Sequence, residues 1–168
     1  MSNIILTGFM GSGKTSTGIR LSYRLRRAFL DTDQLIEREQ GKEISRIFAE
    51  EGEEQFREME TRMLKKLVET EQERIISTGG GLPMRAENRP LLHALGTVVY
   101  LKVTPETVYE RLREDTGRPL LQCEDPLRRI RELMTEREAV YQAGADVVIE
   151  ADGRETDDIV KEIEEKTV

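Results

Sequence analysis

A chain of 168 residues suits one compact domain. Its 26 basic and 33 acidic residues leave a net charge of −7, with the basic residues interleaved among acids, which argues against a nucleic-acid or membrane-surface partner. One cysteine, Cys123, excludes an internal disulfide and fits a reducing compartment, and no apolar run approaches the ~20 residues of a membrane span.

The first element is a short apolar run, residues 4–7, read as a strand. A strand beginning so early leaves no room for a signal peptide, so the expected location is the cytoplasm. Gly8-Phe-Met-Gly-Ser-Gly13-Lys14-Thr15 follows, and 14–26 reads as a helix. This is the G-x-x-x-x-G-K-[ST] phosphate-loop pattern in its required setting, strand then loop then helix. Such a loop curls so that backbone N–H groups point at one anion, and the helix N-terminus behind it adds partial positive charge. The expected nucleotide-binding residues are Gly11, Ser12, Gly13, Lys14, Thr15 and Ser16. Lys14 reaches toward the β- and γ-phosphates, and the Thr15 hydroxyl is placed to ligate Mg²⁺.

A second strand, 28–30, runs into Asp31-Thr32-Asp33. Two carboxylates at i and i+2 off a strand end project into one crevice. One can hold Mg²⁺ through water while the other accepts a proton from an acceptor hydroxyl. The same tripeptide is also a helix N-cap sequence, with Asp33 before Gln34 a further capping candidate. Both readings stand on the motif alone. Helices over 34–39, 43–50 and 53–70 fill an insertion, 33–73, ahead of a third strand at 74–77. Most of the Glu/Arg-rich stretch 50–73 reads as a solvated face with (i, i+4) pairs, and Glu60 stands three residues after Arg57, where it can orient that guanidinium. No acidic residue closes the third strand as a Walker-B aspartate would, and no Asn-Lys-x-Asp run marks a guanine reader.

Gly79-Gly80-Gly81 then offers bare backbone for close approach or an unusual turn. Beyond it come a helix at 87–95, a strand at 98–103, a helix at 105–113, a polar Pro/Gly-punctuated stretch at 114–126, a helix at 126–143, a strand at 147–149 and a helix at 156–165. Continuous short apolar strands alternating with helices predict a five-stranded parallel sheet in a three-layer α/β/α fold, one domain over 1–168. The insertion 33–73 and the stretch 114–126 are expected over the C-terminal strand ends, as an acceptor-binding subdomain and a lid. His93 and Cys123 read as non-catalytic, Tyr141 as a packing residue, and the absence of an apolar surface stripe predicts a monomer.

Five stretches in order give a specific resemblance. They are the phosphate loop with Asp31-Thr32-Asp33, Phe48-Ala-Glu-Glu-Gly52-Glu53-Glu-Gln-Phe56-Arg57, Gly79-Gly80-Gly81, Gly117-Arg118-Pro119-Leu120-Leu121, and Arg137-Glu-Ala-Val-Tyr141. Across nearly its whole length the chain resembles the shikimate kinases, P-loop enzymes of the nucleoside-monophosphate-kinase-like group. The resemblance implies transfer of the γ-phosphoryl of ATP to the 3-hydroxyl of shikimate, with Mg²⁺. It implies that Arg57 and Arg137 grip the shikimate carboxylate, that Gly79, Gly80 and Gly81 approach the substrate, with the Gly80 N–H on it, and that Phe48 and Phe56 flank the ring. Asp33 is then the acceptor-side carboxylate, orienting the hydroxyl first and serving as base second, and Asp31 reaches Mg²⁺ through water. Arg118 becomes a lid arginine that closes on the transferring phosphoryl, making Lys14, Asp33 and Arg118 the catalytic set. Arg111 and Arg154 match adenine-side positions, although Asp152-Gly153-Arg154-Glu155-Thr156 lacks the proline often found after that arginine. The alternatives are a gluconate-type sugar-acid kinase and a nucleotide-dependent regulatory domain.

Overall fold

The computed structural model describes residues 2–113 and 123–168. Five strands, β1 (Asn3–Thr7), β2 (Phe29–Asp31), β3 (Ile75–Ser77), β4 (Gly96–Lys102) and β5 (Val147–Glu150), form one sheet in the order β2-β3-β1-β4-β5, every pair parallel. Among the described residues the helices are α1 (Lys14–Leu25), α2 (Thr32–Gln40), α3 (Ile44–Glu51), α4 (Glu53–Thr70), α5 (Asn88–Leu95), α6 (Pro105–Leu112), α7 (Pro126–Gly144) and α8 (Thr156–Thr167). No helix among them is long and apolar enough to cross a membrane.

The consecutive apolar strand residues have a physical cause. Successive side chains on a strand point to opposite faces, and both faces of this sheet are covered. Ile4 and Leu6 pack with Leu21, Val108, Ile130 and Ile159, on α1, α6, α7 and α8. Ile5 and Ile76 point the other way, onto Ile36, Ile47, Leu64 and Leu92 from α2 to α5. The sheet thus separates two apolar cores, and the predicted three layers are present.

Element ends differ from expectation in informative ways. β2 runs one residue further, to Asp31, and α2 starts at Thr32 rather than 34. The Asp31 side chain is the reason: it caps α2 by accepting from the Gln34 N–H at 3.1 Å. Asp33 is therefore not the cap but a first-turn residue, free to point elsewhere. A 3-10 helix, Leu82–Met84, has no signal in the sequence; it is closed by Leu82 N–H to the Gly79 carbonyl at 3.2 Å and Met84 N–H to the Gly81 carbonyl at 3.1 Å. α5 passes directly into β4 at Gly96, two residues before the expected start. Between α3 and α4 the chain turns on Gly52, at φ 85° and ψ 166°, a conformation open in practice to glycine alone. α4 is not simply a solvated face, because Glu60 is fully buried. A buried bond from the Thr61 hydroxyl to Asn88 Oδ1, 2.7 Å, ties α4 to α5.

Register sets the site. β1 is flanked by β3 and β4, with Leu6 opposite Ser77, and β2 lies beyond β3, with Asp31 opposite the same Ser77. The loops that leave β1, β3 and β2 therefore emerge side by side at one edge of the sheet.

Candidate active site

A cleft of about 370 Å³ opens at that edge. One wall is the phosphate loop, with Met10, Gly11, Gly13, Lys14, Thr15 and Ser16. The other holds Asp31, Asp33, Ser77, Thr78, Gly79 and Gly80.

Gly13 caps α1 in the left-handed region, φ 93°, and no side chain satisfies the first N–H groups of the helix. Those donors and the helix dipole face the cleft as an anion site. Lys14 Nζ donates to the carbonyls of Gly8 at 2.7 Å and Phe9 at 3.0 Å, folding its charge over the loop. Ser12 is buried, and its hydroxyl oxygen has no hydrogen-bond partner. Arg111 reaches the loop, with Nη1 donating to the Gly11 carbonyl at 2.8 Å. Arg154 does not: it donates to Glu162 Oε2 at 2.5 Å and to the carbonyls of Glu150 and Asp158, which hold it against β5 and α8. Arg118 and all of 114–122 lie outside the described residues, so the expected lid arginine has no position to report.

The second wall is organised by the glycine loop after β3. The Gly79 N–H donates to the Thr32 hydroxyl at 3.1 Å, fastening the start of α2 to this loop and bringing the next residue, Asp33, against it. A methyl group at Gly79 would lie 2.8 Å from Asp33 Oδ1 and 3.0 Å from Glu60 Oε2. At Gly80 it would lie 3.5 Å from an Arg137 nitrogen, and at Gly81 within 2.5–2.8 Å of the Arg57 guanidinium. None of the three glycines has positive φ, so no unusual turn requires them; close approach explains Gly79 and Gly81, while a side chain at Gly80 would meet only ordinary contacts. The loop thus meets Asp33 with Glu60, then Arg137, then Arg57, groups drawn from α2, α4 and α7.

Each group has a local support. Arg57 donates to Glu60 Oε1 at 2.6 Å, the pair expected from spacing, and to Glu53 at 3.4 Å. Its guanidinium carbon lies 5.4 Å from the Phe56 ring centroid, and Phe56 packs on Phe48 at 4.9 Å. Arg137 sits similarly over Phe9, at 5.4 Å. Burial works against the Arg57 charge, but Glu60 and Glu53 outweigh it and raise its pKa. Burial also pushes Asp33 up to about 6, with the Asp31 charge adding and Lys14 and Arg57 opposing. The same cause takes Glu60 to about 7 against the pull of Arg57. Asp33 Oδ1 and Glu60 Oε2 are both buried without a hydrogen-bond partner.

Sequence reasoning missed three supports: the depth of Glu60, the Thr32 hydroxyl under Gly79, and the Tyr141 hydroxyl, which donates to the Gly80 carbonyl. The last had a signal, since Tyr141 stands one helical turn after Arg137. Chemically, the cleft pairs a polyphosphate cradle with carboxylates, and two guanidinium groups stand against its glycine loop. That arrangement suits phosphoryl transfer to an acid-bearing alcohol.

The family model described as "Shikimate kinase" matches residues 10–167. A shikimate kinase of Deinococcus radiodurans is 47% identical over 163 residues, covering 97% of this chain and 82% of that protein. The structure titled "Shikimate kinase from Acinetobacter baumannii in complex with shikimate" superposes with a TM-score of 0.92 at 39% identity, covering 98% of this chain and 92% of that one. A gluconokinase from Sinorhizobium meliloti shares the fold only, with a TM-score of 0.56 at 15% identity over 98% of this chain and 90% of that one.

Proposed function

The chain belongs to the shikimate kinase family, and we infer from that membership how its residues move the γ-phosphoryl of ATP to the 3-hydroxyl of shikimate, giving shikimate 3-phosphate and ADP. One observation carries the inference: a single cleft is lined on one side by the phosphate loop and on the other by Asp33, Gly79 and Gly80, with Arg57 and Arg137 against that glycine loop.

ATP lies with its phosphates over Gly11 to Ser16, held by loop N–H groups and the α1 N-terminus. Lys14 exchanges its two carbonyl contacts for phosphate oxygens, a charge-assisted and stronger partner. Arg111, already on the Gly11 carbonyl, lies on the nucleotide side. Arg154 is the weaker adenine-side candidate, because its donors are committed to β5 and α8.

Thr15, Asp31 and Asp33 present hydroxyl and carboxylate oxygens to the same cleft, a hard donor set that suits Mg²⁺ carried in with ATP. Thr15 would ligate it directly and Asp31 through water. When bound, the ion neutralises charge between the β- and γ-phosphates.

Shikimate enters with its carboxylate on Arg57 and Arg137 and its ring beside Phe48 and Phe56. Glu60 holds Arg57 in place for that pairing. Asp33 accepts a hydrogen bond from the 3-hydroxyl and orients its oxygen toward the γ-phosphorus. As the new P–O bond forms and the bond to the ADP oxygen breaks, the hydroxyl proton passes to Asp33. The transition state is loose, so orientation by Asp33 matters more than its basicity.

The test is ADP release from Mg-ATP with shikimate, gluconate, a nucleoside monophosphate or no acceptor. Release that depends on shikimate is expected. Equal release without acceptor would point to a hydrolase or switch, and would remove the roles given to Asp33, Arg57 and Arg137.

A further inference from the structure

The backbone of the glycine loop divides into groups that are satisfied and groups that are not. The Gly79 N–H is on Thr32, the Gly79 carbonyl on Leu82 N–H, and the Gly81 carbonyl on Met84 N–H. The Gly80 carbonyl takes the Tyr141 hydroxyl. Two donors remain: among the described residues the N–H groups of Gly80 and Gly81 have no hydrogen-bond partner. Backbone donors at half-buried positions are seldom left so, and Gly80 lines the cleft.

A trans peptide is rigid, with its C=O and the following N–H pointing in opposite directions. Holding the Gly80 carbonyl therefore fixes where the Gly81 N–H points. The hydroxyl that holds it stands on a braced ring. Tyr141 is only 3% exposed and belongs to the core under β1 and β4. Its ring stacks on Tyr100 with centroids 5.1 Å apart and planes at 27°. Tyr100 in turn donates to Glu138, which pairs with Lys102 at 3.3 Å. Tyr141 also lies one helical turn from Arg137, whose charge faces its oxygen.

We propose that Tyr141 is a positioning residue for the acceptor: by holding the Gly80 carbonyl inward, its hydroxyl fixes the free Gly81 N–H of the glycine loop toward the bound acid and keeps Arg137 beside that loop. This rests on the reading of the cleft as the shikimate site. The burial that pushes the Tyr141 hydroxyl up to about 12 keeps it a donor throughout the working range of pH.

The test compares steady-state kinetics of wild type, Tyr141→Phe and Tyr100→Phe. The Phe substitution at 141 keeps the stacked ring and removes the hydroxyl's bond to the Gly80 carbonyl together with its contact to Arg137. It is expected to raise KM for shikimate roughly three- to tenfold, the scale of one net buried hydrogen bond, while KM for ATP stays within about twofold. Tyr100→Phe also loses a hydroxyl contact in the same stack, and should leave the shikimate KM within about twofold. An unchanged shikimate KM in Tyr141→Phe, a parallel rise in both KM values, or an equal effect of Tyr100→Phe would overturn the proposal. If Tyr141→Phe does not fold, the wild-type amide and carbonyl spectrum decides. Adding shikimate with Mg-ADP should shift the Gly80 and Gly81 N–H resonances and leave the Gly80 carbonyl unmoved; a carbonyl that shifts with the ligand refutes the clamp. Wild-type turnover of shikimate keeps the family reading intact whatever the variants show, and its absence would remove both.

Discussion

Asp33 and Glu60 are carboxyl groups that burial holds protonated to unusually high pH, about 6 and about 7. Two consequences follow with opposite signs. For activity, the role proposed for Asp33 needs its ionised form to accept the acceptor hydroxyl, so kcat/KM for shikimate should fall as pH drops through about 6, which a pH–rate profile of the free enzyme reports. For stability, both groups bind protons more tightly folded than unfolded, where such carboxyls titrate near ~4. Between pH ~4 and ~7 the folded state therefore holds the extra protons, and this contribution to stability is lost as pH rises through that window. Relative to wild type, Glu60→Gln should flatten the decline, measured as urea midpoints at pH 4.5 and 7. The sequence offers Glu60 as an (i, i+3) partner for Arg57 but gives no sign of its burial: its neighbourhood reads as solvated, and only the packing of α4 against the glycine loop buries it. Lys14 and Thr15 were readable because a phosphate loop is built from consecutive residues and needs little from the rest of the chain.

At the scale of elements, the turn between α3 and α4 places Phe48 at the end of one helix and Phe56 with Arg57 at the start of the next. Gly52 makes that turn in open space, and a methyl group added there would meet nothing within 4 Å, so an alanine carries a purely conformational cost. Gly52→Ala should destabilise by about 1–3 kcal/mol. Gly144, the last residue of α7, also has open space but no positive φ, and Gly144→Ala should be neutral or stabilising by up to about 1 kcal/mol. Thermal or urea unfolding of the two variants checks both signs. Strands 4–7 and 74–77 were readable because burial on both faces leaves unbroken apolar runs. The 3-10 turn at 82–84 was not, since backbone bonds alone set it, and for α2 the sequence offers Asp31-Thr32-Asp33 and Asp33 as caps without choosing between them, so the helix starts earlier than expected because Asp31 is the cap.

For the molecule as a whole, strand order does what the sequence could not show. Asp33, Arg57 and Arg137 belong to three helices and converge because β2, β3 and β1 stand in adjacent register, with α7 reaching the same loop through Tyr141. The two sides of the cleft, proposed for nucleotide and acceptor, thus hang from one sheet edge yet use different side chains. Ligands that bind only the folded state raise its melting temperature, so Mg-ADP and shikimate should each raise it in wild type. Arg137→Ala should keep the ADP shift and lose most of the shikimate shift; loss of both would mean that the two halves are not separate. Differential scanning fluorimetry reads all four conditions.

The three glycines after β3 also differ in how far mutation could explore them. At Gly79 and Gly81 the space for a side chain is already filled, by Asp33 and Glu60 at one and by Arg57 at the other. At Gly80 a methyl group meets only ordinary contacts, 3.5 Å to Arg137 and 3.6 Å to the Met10 nitrogen, and the backbone there accepts an L-residue. Variation in this loop therefore has one open door, and it lies on the cleft, where the proposed reading seats the incoming acid. A lineage or a designer seeking a smaller or differently shaped acceptor could reach it through that single codon without dismantling the groups on either side.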